Sequence, residues 1–324
     1  MKKHERFSIF FVIKIILLVT ATSVHAENAD DPNPMVPQIP EFNGVCPSIE
    51  NGYVDFSAYG ITSRVRVLKK DQNEEKISHS TRDRALIIYW HGTGETGDYI
   101  LDQSPTEKSK PVSIRNGIHL GAFSDETAKE ITEAGHIIFA PNNVPVIGKM
   151  TGAHLGGVWR EGHLVLADIM VACAVRANLV DPERIYVTGL SAGGLMASHM
   201  TWSRAQYVAA TGVFSGGFIS DPTGLFYRMP PKPRLPYPIH SAMFYGGPQD
   251  IEIINFKKTT DTYISRSLGL PGVRVLCDHN GGHRQFDQEQ RLGDRSWQFF
   301  QDIKFGQNKE VEDVLEILPR YCTY

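Results

Sequence analysis

Hydrophobic residues along the chain fall into two kinds of segment. Short continuous apolar runs, such as ALIIYW at 85–90, are typical of strands that are buried on both faces. Longer segments with apolar residues at helical spacing lie between these runs. The predicted strands are 53–56, 61–68, 85–90, 136–140, 184–189, 207–214, 239–245 and 273–277, and the predicted helices are 124–134, 162–179, 191–204, 251–268 and 295–305.

The alternation of strands and helices predicts an α/β fold. It should contain one mostly parallel, doubly wound sheet with helices on both faces. The first two strands are joined at 58–60, so we expect a hairpin at one sheet edge. The connection at 215–238 is short and rich in proline, and we therefore expect no large lid domain.

The first residues have the pattern of a secretory signal peptide. The basic start MKKHER precedes an apolar stretch at 9–19, and Val24 and Ala26 occupy the −3 and −1 positions of a cleavage site. A membrane anchor is the alternative, but this stretch is too short to span a bilayer. The predicted organisation is a signal peptide (1–26), a proline-rich lead-in (27–49) and one catalytic domain (50–324).

Charge and cysteine content narrow the choice of compartment and partner. The formal net charge is −3 and no basic tract stands out, so nucleic acid is a poor candidate partner. We expect a secreted or periplasmic protein with no membrane attachment after cleavage. Four cysteines in an exported chain permit disulfides. Cys277–Cys322 is our choice of bridge, and Cys173, in an apolar helix, is either paired or a free buried thiol.

Residues 189–193 read GLSAG and lie between a predicted strand and a predicted helix. G-x-S-x-G in this context is typical of a nucleophile elbow, in which a tight turn projects a serine hydroxyl above the sheet. Gly189 and Gly193 let the strand and helix approach without a clash between Cβ atoms. Ser191 is therefore the predicted nucleophile.

A serine needs a general base and an acid that orients it. Asp250 follows the strand 239–245, and His283 follows the strand 273–277 with two glycines before it. We predict that Asp250 is the acid and His283 the base, in the chain order that is usual for this kind of elbow.

Other residues near these strand ends stay open as alternatives. His279 lies in the same loop as His283, and Asp221 and Asp278 are alternative acids. His279 and His283 also stand four residues apart, as two metal ligands on a helix would. The glycine pair between them argues against a helix, so no metal and no cofactor are expected.

The sequence HGTG at 91–94 follows the buried strand 85–90. This is the position of a loop that donates backbone N–H groups to an oxyanion. We predict donors at Thr93, with Gly94 as the alternative, and at Ala192. A phosphate-binding loop is the competing interpretation, but the Gly-Lys-Ser/Thr ending of that motif is missing. Trp159 and Arg160, in a glycine-rich loop, are predicted to contact the substrate.

The stretch DPERIYVTGLSAGG, with the HGTG loop and the GGH at 281–283, resembles the extracellular polyhydroxybutyrate depolymerase and feruloyl esterase group of α/β-hydrolases. The resemblance implies an α/β-hydrolase fold, with nucleophile, acid and base at Ser191, Asp250 and His283. The acid loop here reads GGPQD, where the group usually has H-G-x-x-D.

Together these patterns predict a serine hydrolase that forms an acyl-enzyme. The expected substrates are small-molecule or oligomeric carboxylic esters, such as hydroxyalkanoate oligomers, feruloyl esters or short-chain acyl esters. A peptidase or polyamide hydrolase with the same triad is the alternative. A non-catalytic binding protein on this scaffold would be expected to lack a triad member, and none is missing. The sequence predicts no oligomeric state.

Overall fold

The computed structural model describes residues 35–58, 60–70, 83–93, 95, 122–142, 159–219, 229–233, 237–283 and 291–324. The predicted signal peptide at 1–26, the alternative donor Gly94 and the alternative acid Asp221 lie outside these residues. All elements named below belong to the unit Met35–Tyr324. Among the described helices, none is both long and apolar enough to cross a membrane.

A single sheet organises the described residues. Its strands are β1 (Gly52–Ala58), β2 (Ile61–Leu68), β3 (Leu86–Trp90), β4 (Ile137–Pro141), β5 (Ile185–Leu190), β6 (Ala210–Phe214), β7 (His240–Tyr245), β8 (Arg274–Asp278) and β9 (Cys322–Thr323). They lie in the order β1-β2-β4-β3-β5-β6-β7-β8-β9. The six strands β3 to β8 pair in parallel with one another. Strands β1, β2 and β9 are antiparallel to their neighbours. The predicted parallel sheet with an edge hairpin is confirmed.

Helices cover both faces of this sheet, as predicted. The helices are α1 (Asp125–Glu133), α2 (Gly162–Arg176), α3 (Ala192–Ser203), α4 (Phe256–Ser267), α5 (Leu292–Phe300) and α6 (Val311–Ile317). Side chains of α2, α3 and α4 belong to the core on one face, and those of α1, α5 and α6 to the core on the other. Strand β3 shows why its sequence is continuously apolar. Leu86 and Ile88 face the first core, and Ile87 and Tyr89 face the second.

The boundaries of α4 differ from the prediction of one helix over 251–268. The helix begins at Phe256, because the Asn255 side chain accepts a hydrogen bond from the Lys258 N–H at 3.0 Å and so caps the first turn. Before it, Ile251 forms a β-bridge with Asn255. The short elements α6 and β9 were not predicted, since neither has enough residues to show a hydrophobic period.

The lead-in is attached to the domain more closely than its sequence predicts. Cys46 forms a disulfide with Cys173 of α2, and Ile49 is buried in the core. The alternative prediction of a free thiol at Cys173 is therefore wrong, although the side chain is buried as expected. The predicted bridge between Cys277 and Cys322 is confirmed, and it joins β8 to β9.

Candidate active site

Ser191 lies at the turn from β5 to α3, in a backbone conformation that an elbow requires. Its φ of 56° and ψ of −121° are unusual for a residue other than glycine. A Cβ atom at Gly193 would overlap the carbonyl oxygen of Trp90, and one at Gly189 would overlap the carbonyl oxygen of Gly193. The glycines around Ser191 are thus required by the close approach of β3, β5 and α3.

The structure brings together the three residues that were predicted as nucleophile, base and acid. Ser191 Oγ lies 3.0 Å from His283 Nε2, and His283 Nδ1 lies 2.7 Å from Asp250 Oδ1. The residues come from the ends of three parallel strands, where the carboxyl ends of β5, β7 and β8 meet. This geometry lets the imidazole accept a proton from the serine while the carboxylate orients the ring.

The loops after β7 and β8 pack against each other, and the start of α4 contacts the imidazole. Gly246 and Gly282 are so close that a Cβ atom at Gly246 would overlap the Gly282 carbonyl oxygen, and the Gly282 N–H donates to the Gly246 carbonyl at 3.0 Å. The ring of Phe256, the first residue of α4, stacks on His283 with centroids 4.4 Å apart. The Phe256 N–H also donates to the Asp250 carbonyl at 2.9 Å, which ties the start of α4 to the acid.

Asp250 is fully buried. Its Oδ2 accepts hydrogen bonds from the Ser215 hydroxyl at 2.8 Å and from the Gly246 N–H at 2.9 Å. Burial raises the pKa of Asp250, but the hydrogen bonds from His283, Gly246 and Ser215 outweigh it and hold this pKa below its ordinary value. The carboxylate therefore stays ionised at neutral pH.

The alternative acid Asp278 and the alternative base His279 are engaged in other hydrogen bonds. Asp278 Oδ1 accepts a hydrogen bond from the Asn280 N–H at 2.9 Å, and His279 Nδ1 accepts one from the Gly281 N–H at 3.2 Å. These contacts shape the loop after β8 and do not join the chain of hydrogen bonds at Ser191.

The loop after β3 lies beside the elbow, as the glycine contacts with Trp90 and His91 show. Thr93 is exposed in this loop. Ala192 is the first residue of α3, and its backbone N–H therefore has no partner within the helix. The Gly92 N–H is taken by the Glu95 carboxylate, at 2.7 Å from Oε2, and the Glu95 N–H donates back to the Gly92 carbonyl at 3.3 Å. The two residues thus close the turn that presents Thr93.

Glu95 itself had not been predicted as part of the site. Burial raises its pKa, and the Gly92 hydrogen bond and the charge of His283 act in the opposite direction. Its connection to the site is the hydrogen bond that it accepts from the Gly92 N–H, in the loop that carries Thr93. The sequence signal was only the acidic residue inside HGTGETG, which the motif does not require.

Trp159 corrects the expectation of a substrate contact. Its side chain is fully buried, and its indole N–H donates to the His91 carbonyl at 2.8 Å. The ring packs against Trp90 and His91, with centroids 4.7 and 4.6 Å away. Trp159 therefore supports the loop after β3, because a large aromatic side chain with one N–H donor suits a buried site with one carbonyl group to satisfy. Arg160 is exposed just before α2 begins.

Comparison with solved structures identifies the fold of this protein. The structure of pOPH is 15% identical in sequence and superimposes with a TM-score of 0.52 over 76% of this chain and 85% of the other. That of sOPH is 17% identical, with a TM-score of 0.51 over 74% and 84% of the two chains. This protein has the α/β-hydrolase fold.

A third similar structure is LpqC, a poly(3-hydroxybutyrate) depolymerase from Bordetella parapertussis. It is 14% identical and covers 82% of this chain and 94% of its own length, with a TM-score of 0.45. No protein-family model matches the sequence, and no curated protein matches it either.

Proposed function

We propose that this protein is a serine hydrolase that cleaves carboxylic esters through an acyl-enzyme. The observation that carries the proposal is the continuous chain of hydrogen bonds from Ser191 through His283 to the buried Asp250, at 3.0 and 2.7 Å. A serine placed at an elbow and joined to an oriented imidazole is an activated nucleophile.

In the first half of the reaction, Ser191 Oγ attacks the ester carbonyl carbon and its proton passes to His283 Nε2. The N–H groups of Thr93 and Ala192 are the proposed donors to the oxyanion that forms. When the intermediate collapses, the C–O bond to the alcohol breaks and the alcohol leaves with the proton from Nε2. Asp250 holds the ring and stabilises its charged form without taking the proton.

In the second half, water attacks the acyl-enzyme and gives its proton to His283 Nε2. The acid is then released, and Ser191 recovers its proton. Resemblance of the sequence to depolymerases and feruloyl esterases favours hydroxyalkanoate oligomers, feruloyl esters or short-chain acyl esters as substrates. The same triad also permits hydrolysis of peptide or polyamide bonds, so a panel of matched esters and amides decides the class.

We also propose that the mature protein is exported, to the periplasm or the medium. Support comes from the predicted signal peptide and from the two disulfides, which form and persist in oxidising compartments. The mass of the mature protein should correspond to a chain that begins at Glu27. A mass that includes residues 1–26 would contradict this proposal.

Substitution of Ser191 tests the function directly. Ser191→Ala should abolish ester turnover and leave the thermal midpoint nearly unchanged, because the lost hydroxyl serves chemistry rather than packing. A fluorophosphonate probe should label the wild-type protein at Ser191, as a peptide map would show. Full activity in the variant, or labelling of another residue, would show that the nucleophile lies elsewhere.

A further inference from the structure

We propose that Ser215 is a positioning residue that holds the acid Asp250 in the orientation needed by His283. The inference deepens the proposed function and rests on it. Ser215 is buried directly after β6, and its hydroxyl donates to Asp250 Oδ2 at 2.8 Å. The other carboxylate oxygen, Oδ1, accepts the hydrogen bond from His283. The carboxylate is thus held at both oxygens, and rotation of its plane would break the contact with the imidazole.

The backbone at Ser215 adopts a conformation that serine rarely takes. Its φ is +48°, in the left-handed region that favours glycine. Strain of this kind persists only where the surroundings impose it, and it is concentrated at functional sites. Glycine would take the same conformation without cost. A serine in this position therefore points to a need for its hydroxyl.

The turn also touches the nucleophile. The carbonyl of Phe214 accepts the Ser191 N–H at 3.0 Å, and the Ser215 N–H donates to the Phe244 carbonyl at 2.8 Å. Two adjacent residues therefore hold two parts of the triad: Phe214 binds the backbone of Ser191, and Ser215 binds the side chain of Asp250. A shift of this turn would change the distance between Ser191 and Asp250, and hence the alignment of the imidazole between them.

Two helices hold the turn in place. The Gly217 N–H donates to the Ser198 hydroxyl of α3 at 2.8 Å, and the Thr259 hydroxyl of α4 donates to the Gly216 carbonyl. Gly217 has a φ of +101°, and a Cβ atom there would overlap the Thr259 carbonyl. These contacts do not involve the Ser215 side chain. Removal of the Ser215 hydroxyl should therefore leave the backbone of the turn in place.

The decisive experiment compares Ser215→Gly and Ser215→Ala with the wild-type protein. Both variants lose the donor, but only glycine relieves the backbone. We expect kcat to fall about tenfold in both, equivalent to about 1.4 kcal/mol of transition-state stabilisation. KM should stay unchanged, because the hydroxyl is buried and bonded to Asp250. Ser215→Cys keeps a weak donor of similar size and should recover part of the loss.

A double-mutant cycle with Asp250→Asn separates positioning from packing. If Ser215 acts through the acid, Ser215→Gly should slow fluorophosphonate labelling of Ser191 in the wild-type background and have little effect in the Asp250→Asn background. Equal losses in both backgrounds, or full kcat in Ser215→Gly, would overturn the inference.

Ser241→Ala is the matched control, since this buried serine of β7 bonds to Tyr263 at 2.7 Å, outside the triad. It should lower stability and leave kcat intact.

A spectroscopic measurement distinguishes failure of this inference from failure of the proposed function. The proton on His283 Nδ1, bonded to Asp250 at 2.7 Å, should give a downfield NMR signal that is lost in Asp250→Asn. In Ser215→Gly this signal should shift or broaden. If it does so and the wild-type protein cleaves no ester, the positioning role stands and the substrate assignment fails. An unchanged signal would contradict the role of Ser215.

Discussion

At the scale of single residues, the site depends on carboxyl groups that do different tasks. Asp250 is buried and ionised because three donors surround it. Burial raises the pKa of Glu95, and its carboxylate accepts the Gly92 N–H in the loop that presents Thr93. A charged carboxylate near the proposed oxyanion donors would repel the negative charge that develops there. Its presence is explained by the hydrogen bond that shapes the loop.

Substitution of Glu95 tests this explanation. Glu95→Gln keeps an oxygen that can accept the Gly92 N–H, so kcat should stay close to that of the wild type. Glu95→Ala removes the acceptor and frees the loop, and kcat should fall about tenfold or more, as expected when an oxyanion donor is misplaced. Kinetics of ester hydrolysis at neutral pH give both values. If Glu95→Gln is as impaired as Glu95→Ala, the negative charge matters and the loop explanation is wrong.

At the scale of elements, the elbow places Ser191, the proposed nucleophile, by bringing three backbones into contact. Helix α3 starts directly after Ser191, and its Gly193 lies against the carbonyl groups of Trp90 and His91 at the end of β3. Gly194 lies in the same way against the Phe214 carbonyl of β6, where a Cβ atom would come within 2.6 Å of the oxygen. The helix is therefore held at the sheet by glycine contacts on two strands.

Gly193→Ala should disturb this contact. The new methyl group overlaps backbone that cannot rotate away, so we expect a loss of about 3 kcal/mol in the free energy of unfolding, together with loss of activity. Gly269→Ala is the control: its φ is +78°, but nothing lies within 4 Å of a Cβ atom there. It should cost about 1 kcal/mol and leave activity unchanged. Denaturant unfolding measures both. Equal effects would mean that backbone conformation, rather than close approach, explains the elbow glycines.

At the scale of the whole molecule, buried histidines link folding to pH. Burial lowers the pKa of His91 and of His240 to about 4, from an ordinary value of 6.5. Contacts of His240 agree with the neutral form, because Nε2 donates to the Gln307 carbonyl at 2.7 Å while Nδ1 accepts the Val273 N–H at 3.3 Å. A proton on Nδ1 would face another N–H.

We therefore expect stability to fall as the pH is lowered from 6.5 to 4. In this window the unfolded chain binds more protons at these two histidines than the folded protein does, so acid favours unfolding. The loss should be on the order of a few kcal/mol, since each unit of pKa difference corresponds to about 1.4 kcal/mol. His240→Gln, which cannot titrate, should flatten the curve of thermal midpoint against pH. A variant curve parallel to that of the wild type would contradict this role for His240.

Local sequence determined much of this protein. Runs such as ALIIYW identify buried strands because both faces of a central strand must be apolar. The elbow could be predicted from GLSAG, since a tight turn between strand and helix admits only small neighbours for Ser191. Asp250 and His283 could be proposed from their positions after strands, because the carboxyl ends of parallel strands meet at one edge.

Contacts between residues far apart in the chain complete the site, and local sequence did not reveal them. Ser215 and Asp250 are 35 residues apart, and the hydrogen bond between them depends on the pairing of β6 with β7. Likewise, nothing local distinguishes a Trp159 that contacts substrate from one that supports a loop, and burial settled the matter. The Cys46–Cys173 bridge spans 127 residues. Sequence patterns reflect the conformation and burial of residues that are close together in the chain. These contacts arise instead from packing between elements that are far apart along it.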